Sequence, residues 1–243
     1  MTNTIKELIA RKSVRAFTDR KITDGEKLMI LTAAANAPTA GNQQLYTVID
    51  VTDQKIKDAL VDTCDGQPFI AKAPLVLIFC ADCKKWYDTY LSVGCEARMP
   101  DVGDLMLAVS DANIAAQNAV TAAESLGIGS CYIGDIMENC ERQRELLGLP
   151  NYVFPAAMLV FGFPTEQQKE RTKPERAALS HIVHENRYRE MNAEELRDML
   201  SPRCGQKGYE AWIRAFCERK YNSDFSVEMS RSCKKYIDDF AKK

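Results

Sequence analysis

Apolar residues recur along this chain in two rhythms, one helical and one continuous. Ile5, Leu8 and Ile9 fall at helical spacing behind the capping candidates Thr2, Asn3 and Thr4, which predicts a short amphipathic helix over residues 4–11 with a basic last turn. A second helix is expected from Thr23, where Thr23-Asp24-Gly25-Glu26 fits a capping box, up to the point where Pro38 forces the backbone out of helix. Residues 37–44 are then a loop. Residues 46–51, 74–81 and 152–163 are rich in Val, Ile, Leu and Phe and read as buried strands.

Between the last two strands runs a long helical stretch, 105–126, with Ala at 108, 112, 115, 116, 119, 122 and 123. So many small side chains permit close packing, as in a central helix or a subunit interface. Gly127 ends it as a C-cap glycine would, a short strand is expected at 130–133, and ENCERQRELLG supplies another amphipathic helix from Asn139. Beyond Gly162 the chain turns polar and irregular. Helical stretches follow at 193–200, 209–220 and 225–240, the second with Trp212, Ile213 and Phe216 on one face. Strands alternate imperfectly with helices, so the expected class is α+β, a mixed sheet flanked by helices. Residues 1–189 form the expected principal domain, and 190–243 a helical extension that packs on the core or on a partner.

Composition narrows the function. The 243 residues hold 32 Lys and Arg against 34 Asp and Glu, a net charge of −2, which argues against a nucleic-acid partner or an anionic membrane surface. No apolar stretch approaches the roughly 20 residues of a membrane span. The basic start MTNTIKELIARKSVRAF lacks the apolar core of a secretory signal, and nine scattered cysteines read as reduced thiols, so a cytoplasmic protein is expected.

Several chemistries drop out. Gly127-Ile-Gly129 follows a helix instead of opening one, which fails the context of a dinucleotide fingerprint, and neither a Walker A sequence nor a GxSxG elbow occurs. His181 and His184 have no second pair to complete a metal site, so they read as packed or exposed histidines. Cys80 and Cys83 have CxxC spacing, but Cys80 ends an apolar strand, and both read as core and loop cysteines.

The segment Arg11-Lys12-Ser13-Val14-Arg15 places two guanidinium forks about a hydroxyl at a helix exit. That set suits a dianionic phosphate, and it equally suits the negative end of a helix dipole. Lys173 and Arg176 offer a second basic pair, either a binding loop or a solvated charge run. Arg-x-Ser-x-Arg, followed by Ala37-Pro38-Thr39-Ala40-Gly41-Asn42-Gln43-Gln44, by AVSDANIAAQNAVTAAESLGIGSCYIG and by KPERAALSHIVHENRY, resembles in order the flavin-binding signature of the nitroreductase family, in its flavin reductase and oxygen-insensitive nitroreductase branch.

The resemblance implies an FMN-dependent NAD(P)H oxidoreductase with FMN at the interface of an interlocked homodimer. Arg11 and Ser13 would hold the 5′-phosphate with Lys173 and Arg176, and Arg15 would reach the pyrimidine edge of the flavin. Gln67 would hydrogen-bond the ring or ribityl chain, while Ile133 and Gly134 cover the ring. Pro38, Thr39, Ala40 and Asn42 would come from the other subunit. Hydride would pass from NADH or NADPH to flavin N5 and on to a nitroaromatic, quinone or flavin acceptor in ping-pong fashion, with Arg15 as an electrostatic stabiliser and no catalytic side chain. The alternatives are a relative with another flavin redox reaction and a non-enzymatic flavin-binding protein.

Overall fold

In a computed structural model describing residues 1–241, the apolar runs become one four-stranded sheet: β1 (Tyr46–Asp50), β2 (Leu75–Asp82), β3 (Gly129–Ile133) and β4 (Val153–Gly162), in the order β1-β2-β4-β3. Every neighbouring pair of these strands is antiparallel, so the mixed sheet expected from the sequence is an antiparallel one. The reason is topological. β4 inserts between β2 and β3 and runs against both, and parallel pairing survives only in the single bridge from Ser13 to Ser130.

The described residues also form eleven α-helices: α1 (Asn3–Ala10), α2 (Asp24–Ala35), α3 (Gln54–Thr63), α4 (Phe69–Lys72), α5 (Lys84–Ser92), α6 (Val102–Ser125), α7 (Cys140–Leu147), α8 (Glu166–Glu170), α9 (Ala193–Leu200), α10 (Tyr209–Lys220) and α11 (Asp224–Phe240). The Thr23 capping box forms, with Glu26 returning a carboxylate to the Thr23 amide at 2.8 Å. A second box, Asp101 with Asp104, starts α6 three residues earlier than the alanine pattern suggested. At α1, Thr2 occupies the cap position without a side-chain bond.

Both sheet faces are covered, which is why β2 and β4 are apolar without alternation. Leu75, Leu77, Phe79 and Ala81 of β2 face α2 and α6, and Val76, Ile78 and Cys80 face α3, α4 and the turn after β3. Ala108, Ala112, Ala115, Ala116 and Ala119 of α6 are all fully buried within the chain's own core. The small residues therefore serve a central helix. Pro155 lies in an interior strand, a position that would forfeit a ladder bond. The pairing steps there from Phe79–Ala157 to Cys80–Pro155, and the irregularity absorbs the missing N–H.

Packing divides the chain into two compact units, one comprising Met1–Arg171 together with the chain from Glu228 onward, the other Thr172–Val227. In the first unit the last helix seals the core. Tyr236 and Phe240 are buried, Tyr236 meets Phe154 edge-on at 5.0 Å, and the Arg144 guanidinium pairs with Asp239 at 2.8 Å. In the second unit α9 and α10 are joined by an Arg197–Glu210 ion pair, and Trp212 stacks on Phe216 at 4.8 Å. His181 lies 3.4 Å from Asp198, and His184 Nδ1 accepts the Arg189 amide at 3.1 Å.

Candidate cofactor site

The site begins with the chain between α1 and α2, which crosses the end of the sheet because two glycines let it. A Cβ on Gly129 would stand 2.5 Å from the Val14 side chain, and one on Gly162 would stand 2.5 Å from Phe17 and 2.9 Å from Pro74. With those contacts open, the Val14 amide donates to the Ser130 carbonyl at 2.9 Å and the Thr18 amide to the Phe163 carbonyl at 2.8 Å. Residues 13–18 are thereby clamped along β3 and β4. The Arg15 side chain leaves from this clamped segment, and that of Arg11 from the end of α1 just before it.

Arg11 sits over the Tyr132 ring at 5.9 Å, and its Nε and Nη2 are buried without an acceptor. Buried cationic donors left unpaired are costly, and an anion is what would satisfy them. Ser130 Oγ, beneath the Ser13 bridge, is a second buried polar atom with no partner. Lys12 turns the other way and donates its ammonium to the carbonyls of Lys169 (2.6 Å) and Arg171, while the Arg171 guanidinium donates to the Ser13 carbonyl. Lys12 and Arg171 therefore join the region through the backbone, a role the sequence reading did not give them.

The Arg15 guanidinium lies 5.9 Å from the Phe69 ring at the start of α4, and its amide donates to Gln168 Oε1 at 3.2 Å. Gln67 lies two residues before α4, ahead of Pro68. Its Nε2 donates to the Asp135 carboxylate at 2.8 Å and to the Cys64 carbonyl at 3.0 Å. Asp135 follows Ile133 and Gly134 in the turn that closes β3, so Gln67, Ile133 and Gly134 meet at one end of that strand. Below them Glu138 is buried with Oε1 unpartnered, and burial together with the nearby Asp135 carboxylate pushes its pKa up to about 8.

The loop carrying Pro38, Thr39, Ala40 and Asn42 is organised elsewhere, by Asp111 of α6. That buried carboxylate accepts from the Thr39 hydroxyl, from the Ala40 amide at 3.0 Å and from the Leu45 amide at 3.1 Å. Gly41 (φ 56°) and Asn42 (φ 57°) both take left-handed backbone, which glycine and asparagine tolerate best. Trp86 of α5 closes the loop by donating to the Gln43 carbonyl at 2.7 Å. Asp111 was missed in the sequence; the one visible signal is an acidic residue on the buried alanine stripe of α6. Lys173 and Arg176 belong to the second unit. Cys80 and Cys83 are buried, and burial pushes both thiols up to about 12, so they are core residues.

Comparison with known proteins identifies the fold's relatives. The chain is 36% identical over 192 residues to the oxygen-insensitive NADPH nitroreductase of Salmonella typhimurium, covering 79% of this chain and 77% of that protein. It is 29% identical over 249 residues to an FMN reductase [NAD(P)H] of Bacillus subtilis, covering 98% and 92%. The fold superposes on the NADPH:FMN oxidoreductase from Vibrio harveyi complexed with NAD+ with a TM-score of 0.78, at 25% identity and over 96% and 98% of the two chains. The nitroreductase family pattern matches residues 8–163, which span the clamped segment, the Asp111-held loop and all four strands; with the sheet and site just described, this chain belongs to the nitroreductase family.

Proposed function

We propose that this protein is an FMN-dependent oxidoreductase that draws electrons from NADH or NADPH and passes them to a small-molecule acceptor, a nitroaromatic, a quinone or a free flavin. The observation that carries the reading is the pair of buried, unpaired Arg11 donors beside the clamped Ser13, in a chain of this family. They fit a phosphate. Arg11 and Ser13 would hold it, Lys173 and Arg176 are the further phosphate ligands that the family resemblance implies, and the Arg15 guanidinium would supply positive charge at the pyrimidine edge of the ring. Gln67 would bond the ring or ribityl chain, and Ile133 and Gly134 would cover the ring. Bound FMN would supply hydride transfer in two half-reactions, which makes ping-pong kinetics the expected form.

The reading includes a homodimer in which Pro38, Thr39, Ala40 and Asn42 are offered to the partner's site. What supports it is apolar surface with no cover in one chain: Ile5 and Ile9 of α1, Leu28 and Met29 of α2, and Met106 and Leu107 of α6 are each about half exposed or more. A cytoplasmic setting is part of the same reading; among the described residues no helix is long and apolar enough to cross a membrane. Functionally, 1–189 would be the flavin domain and 190–243 the extension.

The test is the absorption of the purified protein near roughly 450 nm, a property of oxidised flavin, followed by NAD(P)H oxidation with a panel of acceptors. Stoichiometric FMN and parallel initial-rate plots are expected. A colourless protein that FMN does not reconstitute overturns the proposal, and flavin without turnover on any acceptor leaves a flavin-binding protein in its place.

A further inference from the structure

Gln67 carries both a donor and an acceptor, and its protein contacts fix which of them it can offer before any ligand arrives. Its amide nitrogen carries two hydrogens, and both are committed, one to the Cys64 carbonyl and one to Asp135 Oδ2. Neither partner can donate, so the amide cannot be turned over without setting its oxygen against two acceptors. The amide oxygen, Oε1, is then the only polar atom Gln67 has left to offer. It has no donor among the described residues, and the residue is half-buried.

Of the two partners, the Cys64 carbonyl is fixed by the turn at the end of α3, where Asp65 (φ 58°) and Gly66 (φ 63°) bend the chain back. The Asp135 carboxylate is the replaceable one. It stands on the short turn Gly134–Met137, directly after the two residues expected to cover the ring. Glu138 supports it from below. Burial and the neighbouring carboxylates Asp135, Asp65 and Glu228 push the Glu138 carboxyl up to about 8, and in its protonated form it can donate to Asp135.

We propose that Asp135 is a positioning residue, holding the Gln67 amide so that its oxygen meets a donor on the bound ring, the imide N–H between the two carbonyls of the flavin pyrimidine. This rests on the flavin reading above and adds to it a specificity: the site distinguishes a ring that carries the imide hydrogen from one that does not. No bond is made or broken by either residue. Asp135 never touches the reacting atoms, and its effect passes through Gln67 alone.

The experiment titrates apoprotein with FMN and with FMN methylated at the imide nitrogen, following flavin fluorescence. Wild type is expected to favour FMN by about tenfold, the worth of one hydrogen bond plus an unpaired acceptor. Asp135→Ala should weaken FMN by about five- to tenfold while leaving the methylated flavin nearly unchanged, so that the preference collapses. Asp135→Asn, whose amide oxygen can still accept from Gln67, should keep most of it. Should Asp135→Ala fail to fold, Asp135→Ser carries the same test, because its hydroxyl falls short of the carboxylate oxygen it replaces. A wild type that binds both flavins equally overturns the inference alone, as does an Asp135→Ala protein that weakens both by the same factor, the mark of a purely structural role. A wild type that binds neither overturns the flavin reading, and this inference with it.

Discussion

Within Thr172–Val227 only Cys204 is buried, whereas every residue of β2 and of β4 in the sheet unit is. The smaller unit leaves Leu179, Ile182, Val183 and Tyr188 more than 60% exposed and is joined by exposed ion pairs, Arg189–Glu195 at 2.8 Å and Arg197–Glu210 among them. Such pairs contribute little in water, and a segment of this kind gains its order from whatever it is set against. The sheet unit, by contrast, is over-determined. Its site residues hang from backbone held by glycine-permitted contacts, and the Pro38–Asn42 loop from the Asp111 carboxylate with its three donors. The contrast teaches where variation is tolerated: the sheet unit is fixed by its buried core, and Thr172–Val227 is weakly specified.

The strongest way to break this contrast is at the core. Phe161→Ala removes a fully buried ring from an interior strand and should cost about 3–5 kcal/mol in urea unfolding. A value under 1 kcal/mol would show that the sheet is not the stable part. Asp111→Ala should cost about 2–3 kcal/mol by leaving the Thr39 hydroxyl and the Ala40 and Leu45 amides unpaired. It should also release flavin on dilution more readily than wild type, which gel filtration with absorbance detection would read.

Glu138 sharpens the comparison with pH. Its carboxyl ionises at an ordinary 4.5 in the unfolded chain and at about 8 in the folded one, so the folded state holds the extra proton in between. Stability from this group is full below pH about 4.5 and is lost as the pH rises through about 8. Glu138→Gln should match wild type at pH 4 and exceed it by about 1–2 kcal/mol at pH 8 to 9, measured by thermal melts across that range. Smallest of all, Arg197→Ala should leave the melting midpoint of the chain where it was, since its partner Glu210 is exposed and screened. A clear fall in the midpoint would mean the ion pair ties the smaller unit into the cooperative fold.

The middle of the sheet was legible because β2 and β4 are nearly unbroken apolar runs, and α6 because alanine recurs on one face. α3 and α5 were not assigned. α5 starts directly after β2 at Cys83, which gives no side-chain cap, so nothing punctuates the change from strand to helix. In the site, Arg11, Ser13 and Arg15 could be found because they sit within one turn of chain. Asp111 and Asp135 could not, because their partners lie about 70 residues away and the bonds between them exist only once the sheet has formed. The antiparallel order has the same cause, since no local pattern says that β4 inserts between its predecessors.

The chain leaves the sheet unit at Arg171 and re-enters it at Glu228. Tyr236 and Phe240 are thus synthesised some 70 residues after the strand whose Phe154 they cover. At roughly 5–20 residues per second on a ribosome, that is several seconds during which the part of the core around Phe154 lacks its last cover. The protein's most vulnerable moment is therefore a matter of timing in translation, and codon choice or chaperone supply across Thr172–Val227 will govern yield without changing one contact of the finished fold.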